Sequence, residues 1–177
     1  ESIDKIIKLK DEYNIKHISV YNLEVHEGTK LDFLLNEGFL YLVNEDEEYK
    51  MKCYLEETLS QNGFERYEIS NFAIPCYQSN HNLNYWNQGQ YIGIGSAASS
   101  FFAGRRYTNI SDIQKYIDCI SKNETIVVES EDLDKLDLMK EYVILNLRVI
   151  KGINKNRFKA RFNTHINKIF ASEIKEL

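Results

Sequence analysis

Between residues 69 and 104 the chain carries no Asp, Glu, Lys or Arg. At the 28% charged fraction of the whole sequence, about ten of these residues would carry charge. The segment holds the only Pro (Pro75), the only Trp (Trp86), four of the eight Gly (Gly89, Gly93, Gly95 and Gly104), five Asn, and His81. A solvated linker normally carries charge, and a membrane span does not accept this density of amides. An uncharged, amide-rich and aromatic stretch fits a buried polar wall or a ligand cavity. The surrounding chain supports such a wall. With 177 residues and 43% hydrophobic side chains it is long enough for one domain with a core, or for a domain and a small appendage, and its composition excludes wholesale disorder, collagen and coiled coil.

Acids outnumber bases 27 to 22, a formal charge of -5, which argues against a general nucleic-acid surface. The ends differ: residues 1–68 carry 16 acids and eight bases, net -8, whereas residues 148–177 carry eight bases and two acids, net +6. There is no run of about 18 apolar residues, so no transmembrane segment is expected. The chain starts at Glu1 without a basic-then-apolar leader and reads as cytoplasmic and as an excised piece of a longer protein. Cys53, Cys76 and Cys119 lie 23 and 43 residues apart with no C-x-x-C, so they supply neither a zinc site nor a complete iron-sulfur site. They read as reduced thiols, two of them in helical patterns as small core residues.

Residues 2–14 place Ile3, Ile6 and Ile7 at helical spacing, and residues 17–26 form a β-branched run. Thr29 with Asp32 resembles a capping box for a helix ending at Gly38, and Asn44 with Glu47 opens a second, carrying Met51, Tyr54, Leu55, Thr58 and Leu59 to Gly63. Residues 64–70 read as a strand parallel and adjacent to 17–25, joined through the helix from Asn44. Beyond Gly104, Ser111 or Asp112 caps a helix, and Ser130 with Glu131 and Asp132 opens a longer one ending at Gly152. Residues 154–162 and 164–177 read as two further helices.

Several residues carry possible chemistry. Gly93–Ala98 fits the dinucleotide pattern G-x-G-x-x-A formally, but the following sequence reads as a hairpin turning at Ala103-Gly104, so close strand packing explains the glycines better. His81 has no second His or Cys at ligand spacing for zinc. Haem needs only one protein imidazole and an aromatic wall, which Tyr85 and Trp86 can supply; a hydrogen-bonded structural histidine is the alternative. Glu68, beside Ser70 and Asn71 at a strand end, sits where α/β folds put ligand-contacting groups. Glu45–Glu48 are explained by the helix dipole, and no G-x-S-x-G elbow, P-loop or nucleophile-base pair is found.

Residues 67–73 (Y-E-I-S-N-F-A), Pro75, 81–86 (H-N-L-N-Y-W) and 91–95 (Y-I-G-I-G), with 17–21 (H-I-S-V-Y), closely resemble the radical SAM family of oxygen-independent coproporphyrinogen III oxidases, in its HemW-like haem-chaperone branch. Residues 141–162, with Leu147-Arg148, Gly152-Ile153, Phe158 and Arg161-Phe162, resemble that family's C-terminal helical region. The resemblance implies an α/β fold. Residues 1–73 would be the last βα units of a partial (β/α) barrel, 74–110 an uncharged loop and strand region, and 111–177 a truncated helical C-terminal domain. It implies S-adenosylmethionine and a [4Fe-4S] cluster in the full-length parent, with Ile18, Ser19 and Glu68 on the S-adenosylmethionine side. The cluster motif C-x-x-x-C-x-x-C is not in this chain.

In the chaperone branch the H-N-x-x-Y-W motif is the haem-binding one, which assigns His81, Asn82, Tyr85 and Trp86 to haem, with His81 the sole candidate for iron. No cofactor is expected to be held tightly by this piece alone. Family members often carry G-x-G-A-H-S after Y-I-G-I-G; Ser99 stands at that histidine position. Three functions stay open. One is a haem chaperone serving a recipient protein, another an oxidase decarboxylating coproporphyrinogen III to protoporphyrinogen IX, inactive as this piece alone, and the third a non-catalytic interaction domain.

Overall fold

The computed structural model describes residues 2–176, which form a mixed α/β structure with a helical C-terminal part and divide into two compact units, 1–79 and 80–177. The boundary falls inside the charge-free segment.

The first unit contains α1 (Ser2–Leu9), β1 (His17–Ser19), α2 (Lys30–Asn36), α3 (Glu45–Gln61), β2 (Glu65–Arg66) and β3 (Asn71–Ala73). Its core is Ile3, Ile18, Leu59, Phe64 and Phe72, with Ile6 and Ile7 packed against it. Two caps form as their spacing dictates: the Thr29 side chain accepts from the Asp32 N–H, and Asn44 accepts from the Glu47 N–H. Gly63, at φ +81, ends α3 in the left-handed region. Of the α3 stripe only Leu59 is buried, while Met51 and Tyr54 remain exposed. Cys53 and Cys76 are exposed and Cys119 is half-buried, so the helical cysteines are not fully buried core residues.

The strand pairing differs from the sequence expectation. β1 and β2 both pair antiparallel with β3, in the order β1-β3-β2, so the two runs expected to be parallel neighbours are separated by a third strand. The cause lies at residues 67–70. The chain does not continue as a strand there but reverses, with the Tyr67 N–H donating to the Asn71 carbonyl and the Ser70 N–H to Glu68 Oε1. The returning strand is buried at all three positions and takes the central place. The first run is regular only through Ser19; its last ladder-like bond is Val20 N–H to the Ser70 carbonyl, at 2.8 Å.

The second unit contains α4 (Asn80–Trp86), β4 (Ser99–Phe102), β5 (Arg105–Asn109), α5 (Ile113–Lys122), β6 (Val127–Asp132), α6 (Lys135–Asn146), α7 (Lys155–Phe162), α8 (Ile166–Ile169) and α9 (Ala171–Glu176). Strands β4-β5-β6 form an antiparallel sheet. The β4–β5 hairpin turns at Ala103 (φ 52) and Gly104 (φ 78), the two positive dihedrals of a type I′ turn. Met139, Tyr142, Phe158, Phe162 and Ile166 make its core. Asp112 and Asn154 cap α5 and α7.

Residues 130–132 do not open a helix: they lie in β6, opposite the arginines of β5, with Arg105 3.5 Å from Asp132 and Arg106 3.3 Å from Glu131. The cap moves to Asp134, whose side chain accepts from the Asp137 N–H. The helix it opens ends at Asn146, before Gly152, and the last expected helix breaks at Phe170 into α8 and α9. Leu177, its expected end, lies outside the described residues. No helix is long and apolar enough to cross a membrane among the described residues.

The Asp134 carboxyl is held below its ordinary value, first by the hydrogen bond from the Asp137 N–H. The stabilisation it gives α6 is therefore complete above the ordinary aspartate value, about 3.9, and is lost as the pH falls through the depressed one. Melting temperatures recorded across this acid range are expected to fall more steeply for the wild type than for Asp134→Asn, which keeps the cap without the charge. Parallel curves would reject the assignment.

Candidate functional site

The motif 81–86 sits on a helix, not in the loop-and-strand region expected for 74–110. On α4, His81 and Tyr85 are four residues apart and share a face. The exposed His81 ring meets the Tyr85 ring edge-on, with centroids 4.7 Å apart; Tyr85 meets Tyr91 at 4.6 Å, and Tyr91 lies 6.5 Å from Phe101. The four rings form a continuous series. Asn82 and Trp86 are half-buried, and the Arg148 guanidinium stands 4.6 Å over the Trp86 ring.

The end of α4 is fixed by partly buried polar bonds. The Asn146 amide donates to the Trp86 carbonyl at 3.0 Å, the Gln88 amide to the Leu138 carbonyl at 3.0 Å, and Arg161 to the Gln88 carbonyl at 3.1 Å. Gln88 is 2% exposed and has φ 52, a strained value for a residue with a Cβ. Gly89 follows because a Cβ there would run into the Asn84 side chain and stand 2.9 Å from its carbonyl oxygen. The chain then meets the sheet, Tyr91 and Phe101 exchanging backbone hydrogen bonds of 2.8 and 3.0 Å. A Cβ at Gly93 would collide with the Ser99 carbonyl, Gly95 takes a φ of +111, and 93–98 lead into β4 rather than a helix, so Gly93 serves close packing and Gly95 a backbone turn. Ser99 is exposed on β4, 3.2 Å from the Thr108 hydroxyl.

A cleft of about 320 Å³ opens here, lined by Tyr85, Trp86, Gln88, Gly89, Tyr91, Phe101, Arg106, Glu141 and Leu145. Arg106 pairs with Glu141 across it, and its guanidinium is held above its ordinary value, chiefly by that hydrogen bond. Burial pushes the Tyr91 phenol up. Two buried polar atoms have no hydrogen-bond partner among the described residues, Trp86 Nε1 and Gln88 Oε1. The sequence singled out Tyr85 and Trp86; it did not mark Gln88, Tyr91, Phe101, Arg106 or Glu141 as site residues. One available signal was Arg105-Arg106, the first charges after the uncharged segment.

In the first unit Ser19 and Glu68 are brought together through a residue the sequence did not single out as theirs. The Ser19 hydroxyl donates to Asn71 Oδ1, and the Asn71 amide donates to Glu68 Oε1. Glu68 and Asn71 are each 1% exposed, and Ile18 lies in the core, so only Ser19 of the three expected residues is exposed. Glu68 stands at a reversal between antiparallel strands, not at the end of a parallel one. No three His, Cys, Asp or Glu side chains converge as metal donors among the described residues, so they do not fit an iron-sulfur cluster.

Residues 133–177 match the HemN C-terminal domain family. The chain is 31% identical over 175 residues to the heme chaperone HemW of Lactococcus lactis, covering 99% of this chain and 45% of that protein. It is 32% identical over 162 residues to the heme chaperone HemW of Bacillus subtilis, covering 92% and 43%. Among solved structures, coproporphyrinogen III oxidase (HemN) from Escherichia coli, a radical SAM enzyme, superposes with a TM-score of 0.72 at 16% identity, covering 98% of this chain and 43% of the enzyme. At that identity the likeness speaks to the fold. The chain spans less than half the length of these relatives.

The Ser19–Asn71–Glu68 set carries an expectation of its own. Asn71→Ala removes a donor from a buried carboxylate and is expected to lower stability by about 1–3 kcal/mol in denaturant melts. A change within about 0.5 kcal/mol would mean that the network contributes nothing to the fold.

Proposed function

We propose, from the likeness of the chain to heme chaperone HemW sequences, that its second unit holds haem as cargo, the His81 imidazole ligating the iron. The supporting observation is the exposed His81 ring at the head of the Tyr85–Tyr91–Phe101 series. A neutral imidazole donates one lone pair to iron, and aromatic faces cover a porphyrin at little desolvation cost. Tyr85 and Trp86 form the wall, and Asn82 belongs to the same helix.

Among the described residues the His81 ring is exposed, and the aromatic contact it makes is with the edge of Tyr85. A chaperone carries its ligand unchanged, so the reading needs no base, acid or electron source from this unit. It serves a cytoplasmic haem recipient. Of the residues expected on the S-adenosylmethionine side, Ser19 is exposed, whereas Ile18 packs in the core and Glu68 holds Asn71.

His81→Ala is expected to weaken the haem Soret response of the chain at least about tenfold in titration, equal to about 1.4 kcal/mol, while the melting temperature stays put. The second half follows from exposure, since surface changes away from such features stay within about 0.5 kcal/mol. An unchanged Soret band in the variant would reject His81 as the ligand.

A further inference from the structure

Resting on the haem reading, we propose that Arg106 is a carboxylate-recognition residue, on which an acidic arm of a planar ligand takes the place now held by Glu141. The cleft beside Tyr85 supplies the conditions. Its walls are the aromatic rings of Tyr85 and Tyr91, and the guanidinium of Arg106 is its only cationic lining group among the described residues. Arg106 already carries one carboxylate there, so the geometry for an anion exists in the molecule.

Exchange leaves no charge stranded. Glu141 Oε2 lies 3.4 Å from the Gln88 amide nitrogen, which keeps a donor beside the displaced carboxylate, and Glu131 lies 3.3 Å from the other end of the Arg106 guanidinium. Replacing one carboxylate by another on the same fork keeps the strong bidentate-capable donor satisfied throughout. A ligand without an acid must instead leave the Arg106–Glu141 pair in place and accept a narrower cleft.

A second observation points to a ligand independently. The Gln88 side chain is 2% exposed and lines this cleft, yet its carbonyl oxygen has no partner, and the indole N–H of Trp86, which lines it too, has no acceptor. Buried polar atoms are nearly always paired, so a cleft with an open acceptor and an open donor is shaped for polar groups that come with its occupant. The aromatic walls and the two donors, the Arg106 guanidinium and the Trp86 indole N–H, define the ligand class: planar and apolar over most of its area, with a peripheral carboxylate.

Spectroscopic titration of the chain with iron protoporphyrin IX, which has two propionates, and with its dimethyl ester tests this. The wild type is expected to bind the diacid at least about tenfold more tightly than the ester, the scale of a hydrogen bond to a charged group. Arg106→Gln is expected to abolish that preference and leave the ester affinity as it was. Glu141→Gln, which removes the competing carboxylate, is expected to tighten the diacid several-fold and not the ester, a gain that a merely structural ion pair does not give.

Equal affinity of the wild type for acid and ester, with the Soret response intact, overturns the role of Arg106 and leaves His81 as ligand. Loss of both probes together in Arg106→Gln, or weaker diacid binding in Glu141→Gln, also overturns it, marking the pair as scaffold. No Soret response to either probe in the wild type overturns the haem reading and this inference with it.

Discussion

The bond from the Gln88 amide to the Leu138 carbonyl supports everything the second unit presents. A helix of seven residues does not persist alone in water, because the cost of nucleating it is not recovered over so few hydrogen bonds. α4 persists because its end is held by side-chain amides on backbone carbonyls: Gln88 on Leu138, Asn146 on Trp86. Gln88 takes a left-handed dihedral to do so, and the surrounding bonds, including Arg161 on its carbonyl, hold it in that strained state. The order of causation runs from a buried polar turn to a fixed helix, and from the fixed helix to an exposed imidazole above a row of rings.

Local chemistry was legible in the sequence and pairing was not. Helix caps at Thr29, Asn44 and Asp112 form at expected residues because a cap depends only on a side chain and an N–H three positions on. The Ala103-Gly104 turn is local in the same way. A strand's neighbour, in contrast, is set by another part of the chain. Asn71–Ala73 is only three residues long and buried at every position, so it shows no alternation by which to recognise it, yet it separates two runs that look like partners. Residues 130–132 carry a helix-start signature and still form a strand, because Arg105 and Arg106 stand across from them on β5 and Asp134 offers an equivalent cap.

The candidate site divides along the same line. His81 and Tyr85 could be found because one helical turn brings them together. Arg106 and Glu141 are 35 positions apart and Gln88 and Glu141 are 53, so no spacing rule connects them. The uncharged segment contains most of one wall of the cleft, for a reason visible in the structure. Ser100, 0% exposed, accepts from the Gly93 N–H, and Gln88, 2% exposed, places its amide N–H on the Leu138 carbonyl; an ionised side chain at either place would need a charged partner. Absence of charge was a statement about burial before it was one about ligands.

That distinction bears on how such a cleft can release what it holds. A fully buried charge pair binds tightly and breaks at high cost, because separating it strands an ion in a poorly solvated place. Arg106 and Glu141 are only partly buried, with side-chain exposures of 42% and 25%, and each has a second partner nearby. In the proposed exchange an anion arriving at Arg106 trades places with Glu141 instead of requiring an empty, unpaired guanidinium to await it, and an anion leaving is replaced by the same carboxylate. Partial burial keeps both directions accessible, as the proposed carrier role requires and as a site built for permanent retention of a cofactor would avoid.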